Sequence, residues 1–207
     1  MKTNIRPNQK IAAFSMIEMI GVLAVIAILA ALLIPKVFEA ISTAKINNTA
    51  SSLGAVKTAV VNHYGKYGAL NTQAGTNTFT QTSALATNYA SVLLQEGMLD
   101  KPFESKLTTN AVIQMVAAKA AGAVDGTGGA YWLSGQGANA SECASSTLVV
   151  EARLYKVAIS DAIALSQVID GNNMSTNDTG AADFWGRVVY ATPASGLTDV
   201  FVYMANK

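Results

Sequence analysis

Charge is scarce in this chain, and over one stretch it is missing altogether. Only 13% of the 207 residues are Asp, Glu, Lys or Arg, and none of these lies between Met19 and Ile34. Histidine and cysteine occur once each, as His63 and Cys143. A lone cysteine rules out a disulfide within the chain, and a lone histidine rules out His-based metal clusters and His-pair chemistry. The net charge is +1; removing residues 1–13 takes away Lys2, Arg6 and Lys10 and leaves 11 bases against 13 acids, a balance of −2. A slightly acidic body with no later Lys/Arg cluster has no electrostatic footprint for nucleic acid, and no such partner is expected. The acids are scattered and no glycine-rich loop has Walker or dinucleotide spacing. No catalytic residue, cofactor or metal ligand is therefore nominated, and an enzyme is not expected. Trp132, Trp185 and the tyrosines read as packing groups. Asn139, Asn173 and Asn177 open N-x-S/T triplets of a kind common by chance.

What the chain does have is KIAAFSMIEMIGVLAVIAILAALLIPK, Lys10 to Lys36. A basic leader before an apolar run admits three readings. A secretory signal has an apolar region of about 7–15 residues and a small-residue cleavage site; this run is longer, and Pro35, Lys36 and Phe38 make a poor approach to a cut. A plain membrane anchor fits better, because the 21 residues from Phe14 to Ile34 span about 31 Å as a helix, the thickness of a bilayer core. The leader would then lie in the cytoplasm. Glu18 separates the third reading from the second. A carboxylate in a membrane helix is disfavoured by about 2.5–3.5 kcal/mol at the centre, less near an end, and marks a partner. A cut between Ala13 and Phe14 would create one, since the new α-amine lies one helical turn from Glu18. An acid in the first turn adds a smaller favourable term of about 0.3–1 kcal/mol.

The run AFSMIEMIGVLAVIAILAALLIPK resembles the N-terminus of type IV pilins and of the pseudopilins of type II secretion systems. The resemblance implies a processing site at Ala13–Phe14, cleaved by a prepilin peptidase, and N-methylation of Phe14. It also implies assembly through Phe14 and Glu18, fifth in the mature chain, and a helix bend at Pro35, twenty-second in it. The family usually places Gly before the cut, where this chain has Ala13, and often has a glycine midway along the helix, where this chain has Ala27.

Beyond Pro35 the pattern turns amphipathic, with Phe38, Ile41, Thr49, Leu53, Val56 and Val60 on one side of a helix of period 3.6. That helix should run to about His63 and stop at Gly65 and Gly68. Gly54 and the Ser, Thr and Asn content make it intrinsically weak, so packing must support it. Asn71–Asn88 reads as loop, and Ala90–Leu107 as a short helix ending near Gly97 followed by a turn at Lys101–Pro102. Ser146–Val157 reads as a strand, and Ser160–Asp170 as a helix capped by Ser160 with Ile163, Val168 and Ile169 on one face. Phe184–Thr192 and Thr198–Ala205 form an expected terminal hairpin. The fold class is α+β, a long N-terminal helix packed on a globular domain with a mainly antiparallel sheet. The expected division is leader 1–13, removed; transmembrane and filament-core helix 14–35; amphipathic helix 36–65; and globular head 66–207.

Two further stretches resemble pseudopilins, the leucine-rich helix leading to Gly97 and Pro102, and Asp183-Phe184-Trp185-Gly186. Many pseudopilins bind calcium in a C-terminal loop, but Asp170–Asp178 has a carboxylate only at each end, unlike an EF-hand, and is expected to be a solvated turn. The resemblance implies a structural subunit of a type IV pilus, held in the inner membrane and then displayed at the cell surface. Its partners would be the prepilin peptidase and methyltransferase, an assembly platform and other copies of itself. The alternative is a pseudopilin building a short periplasmic filament; the long body and the lack of an obvious calcium loop favour the pilus. A DNA-uptake pilin stands behind both, because the mature charge balance is acidic.

Overall fold

The computed structural model describes residues 14–68, 70, 88–118, 129–133, 147–176 and 178–206. The leader with Ala13, the tract 71–87, Asn139, Cys143 and Asn177 lie outside the described residues. One helix, α1, runs from Met16 to Tyr67, with Pro35 inside it and no break in the helical assignment there. It ends where glycine permits a left-handed residue: Gly68 has φ +66, and its N–H donates to the Tyr64 carbonyl at 2.7 Å. This is the αL termination, satisfying a carbonyl that the helix leaves unpaired. Two compact units divide the chain, residues 1–41 and 42–207.

In the second unit, α2 (Tyr89–Gln95) precedes strand β1 (Ala111–Ala117). Strand β2 (Leu148–Ala158), α3 (Ile159–Asp170), β3 (Val188–Tyr190) and β4 (Leu197–Asn206) follow. The four strands form one sheet in the order β1-β2-β4-β3, with every neighbouring pair antiparallel. Side chains alternate across it as the strand period requires. Ile113, Met115, Val150, Ala152, Leu154, Val200, Val202 and Met204 join Ile46, Leu53, Val56 and Val60 of α1 in the main core. Ala118, Tyr131, Val149, Val189 and Phe201 make a second, smaller cluster. Burying each large aliphatic side chain is worth about 1.5–3 kcal/mol, which is what holds the glycine-interrupted part of α1 helical.

Several expectations are corrected. Thr49, Leu53, Val56 and Val60 face the core as anticipated, but Phe38 and Ile41 are exposed; the period marks the apolar side of the helix, not what covers it. Strand β1 was not anticipated. Gln114 sits among its apolar residues on the smaller cluster's side, where it donates to Glu151, and this disguised the pattern. Ser160 does not cap α3, which begins one residue earlier with Ala158 at the cap position. Val168 is exposed, and the buried face of α3 is Ala162, Ile163, Leu165 and Ser166. The hairpin exists, though β3 is only three residues long. Its turn places Ser195 at φ 54 and Gly196 at φ 77, with reciprocal bonds between Ala194 and Leu197 of 2.9 and 3.1 Å, the signature of a type I′ connection.

Two glycines with similar φ separate conformational freedom from space. A Cβ on Gly186 would lie 2.6 Å from Asp170 Cγ, whereas one on Gly196 meets nothing within 4 Å. Gly196→Ala should cost about 1–2 kcal/mol, the left-handed penalty alone. Gly186→Ala should cost clearly more, about 3 kcal/mol, because a buried neighbour must also move. Urea midpoints of the two variants check the difference.

Candidate functional site

The feature with no counterpart in an ordinary small domain is the first half of α1. Fourteen large apolar side chains between Phe14 and Ile34 are 49–81% exposed. The most apolar part of the helix has a mean hydropathy of 2.8, none of it buried. At about 1.5–3 kcal/mol per side chain, leaving this surface in water would cost tens of kcal/mol, against a net stability of about 5–15 for a whole domain. The helix is long and apolar enough to cross a membrane, and is compatible with a single-pass anchor. Lipid or other protein must cover it.

Glu18 lies in the first turn. Its Oε2 accepts the Ser15 amide at 2.8 Å, while Met19 N donates to Ser15 O at 3.2 Å, opening the helical ladder. This is the acidic half of a capping box, written in the sequence as Ser15-Met16-Ile17-Glu18. The signal was available in that spacing and was not read there as a cap. The cap gives Glu18 a partner within its own chain, but at about 1 kcal/mol it offsets only part of the cost of a carboxylate in hydrocarbon. Phe14 precedes the helix and is 79% exposed. Glu18 and Phe14 thus sit together at the start of α1, Pro35 lies near the far end of the apolar run, and Ala13 is outside the described residues.

Three acids of the body, Asp170, Asp178 and Asp183, are held by local donors. Asp170, at the end of α3, accepts from Arg187 N at 2.9 Å, Arg187 Nε at 3.1 Å and Val188 N at 2.8 Å. Asp183 accepts from Trp185 N, Thr176 N and Ser166 Oγ. The loop 170–178 is thereby tied down at Asp170 and Thr176, and its other acid, Asp178, binds Gly180 N at 2.8 Å. Among the described residues no group of three or more His, Cys, Asp and Glu is placed to hold a metal. His63 is buried, with Nδ1 2.5 Å from Glu96 Oε2 and its ring packed near Tyr67 and Tyr89. It joins the end of α1 to α2.

Comparison with protein-family models, with curated proteins and with solved structures finds no match to this chain. The functional reading therefore rests on the residues themselves.

The most enclosed acid is Glu151, fully buried on β2. Tyr131 Oη lies 2.5 Å from its Oε2, and Gln114 Nε2 and Gly129 N donate to it at 2.7 and 3.2 Å. Burial pushes its carboxyl above the ordinary value of 4.5, against the opposing pull of these donors and of Arg153. Burial likewise raises Asp183 above 3.8. A carboxyl raised on folding stabilises the native state fully below its unfolded value and loses that contribution as pH rises through its folded value. The described body should therefore lose stability with rising pH above about 4.5, and Glu151→Gln should flatten that slope. Urea denaturation across the acid to neutral range checks it.

Proposed function

We propose that this chain is the structural subunit of a type IV pilus. It is made as a precursor, cleaved between Ala13 and Phe14, methylated on the new amine and polymerised through residues 14–34. The observation that supports this reading is the bare apolar helix with one acid in its first turn. Such a helix has two environments available to it. In the inner membrane, lipid covers it; in a filament, the same surface is covered by the helices of other copies. Transfer between the two exchanges one apolar surrounding for another, so it costs little in burial. Direction then comes from packing and from the polar groups, as in helix association within membranes generally.

Glu18 supplies the polar term. The capping bond to Ser15 uses one carboxylate oxygen, and a carboxylate can accept more than one donor. The Phe14 amine released by cleavage, on the same or a neighbouring copy, completes the neutralisation. A subunit out of axial register leaves a carboxylate short of its counter-charge in an apolar core, so the pair also checks alignment.

A second reading, a pseudopilin assembled into a short periplasmic filament, is favoured by Asp183-Phe184-Trp185-Gly186. That stretch forms a corner needing both its acid, which takes the Trp185 amide at 3.1 Å, and its glycine, at φ +79 against Asp170. Filaments of this chain outside the cell support the pilus; filaments confined to the periplasm support the pseudopilin.

Two outcomes are expected. Glu18→Ala should still enter the membrane but lower filament yield by about tenfold, the effect of losing about 1.4 kcal/mol. Electron microscopy showing mutant filaments at normal number and length would remove the pairing role. N-terminal sequencing of the assembled form should begin at Phe14 with a methylated amine, whereas an intact Met1 would leave only the plain anchor.

A further inference from the structure

Apolar exposure on α1 does not stop where the bilayer would. Phe14 to Ile34 already spans about 31 Å, yet Val37, Phe38 and Ile41 beyond Lys36 are 52, 68 and 45% exposed. Among them stands Glu39, paired with Lys36 at 2.9 Å on a well-exposed surface. An exposed pair of this kind is worth about 0–1 kcal/mol and is readily exchanged for another.

The body carries a surface of matching character. A groove of about 250 Å³ runs between α1, the end of α3 and β4, and Leu53, Gly54, Lys57, Val168, Arg187 and Met204 are among its lining residues. Val168 is 52% exposed, although it sits at the groove. Among the described residues a Cβ on Gly54 meets nothing within 4 Å, and glycine inside a helix costs about 1 kcal/mol relative to alanine. The missing side chain leaves the helix backbone open to close approach there. Arg187 is already held by Asp170. Among the described residues no carboxylate lies within ion-pair distance of Lys57.

We propose that in the filament the Val37–Ile41 segment of one copy docks in the groove of another, with Phe38 against Gly54 and Val168 and Glu39 paired with Lys57. This rests on the filament reading above and adds to it a specific contact outside the helical core. The two halves of the contact lie at different places on one chain, so the interface is heterologous. Such interfaces repeat into open helical arrays when their rotation does not close.

The test uses the full chain assembled by cells. In a Cys143→Ser background, Phe38→Cys and Val168→Cys together should give a ladder of oxidised multimers from filaments, and neither variant alone should. Filaments of normal appearance with no ladder overturn the docking and leave the filament reading standing; absence of filaments from the unsubstituted chain overturns both. Charge exchange is the second measurement, for the case that the cysteines disturb assembly. Glu39→Lys and Lys57→Glu should each reduce filament yield about tenfold, and their combination should restore most of it. Losses that simply add in the double variant contradict the pairing.

Discussion

Everything in this chain is organised around one unmet requirement: the apolar surface of α1 from Phe14 to Ile34 must be removed from water, and no described residue of the chain covers it. The second unit shows the opposite behaviour. It encloses its own core, in which Leu53, Val56 and Val60 of α1 share one cluster with buried residues of the sheet and of α3. One continuous helix therefore carries two solvation regimes, one self-satisfied and the other dependent on an external medium. That dependence turns a small α+β domain into a component of something larger, whether the medium is lipid, other copies or each in turn.

Hydrogen bonds to two acids fasten the connection between α3 and β3. Asp170 gathers three donors from Arg187 and Val188, and Asp183 gathers three from Ser166, Thr176 and Trp185, so α3, β3 and the segment between them are tied together. Gly186 passes so close to Asp170 that no side chain fits. On the far face of the sheet, Glu151 fastens Gly129 and Tyr131 to β2, with the Tyr131 ring also against Tyr203. If the proposed filament forms, such internal fixing leaves less conformational freedom to lose on association.

Much of this was legible in the sequence, and the misses have physical causes. The apolar run, its length and the isolated acid were plain from charge alone. The core face of α1 followed from the 3.6 period at Thr49, Leu53, Val56 and Val60, but periodicity reports which side of a helix is apolar, not what covers it. Phe38 and Ile41 were assigned to the core on that ground and are exposed. Strand β1 escaped because Gln114 interrupts an apolar run too short to distinguish strand from helix. Asp170 reads as one end of a solvated turn, since the donors brought from Arg187 and Val188 are contacts of the fold and not of the local sequence. Glu18 was recognised as needing a partner, and its nearest one, the Ser15 amide, lay in a capping spacing that invites a local explanation as well as an intermolecular one.

In the proposed filament, the surface of α1 is covered by other copies of the same helix. Helical reconstruction by electron microscopy of filaments sheared from cells producing the unsubstituted chain tests it most directly. The account predicts a filament with residues 14–34 of many copies packed about its axis. A chain found solely as isolated copies held in lipid, with no filament inside or outside the cell envelope, would contradict it.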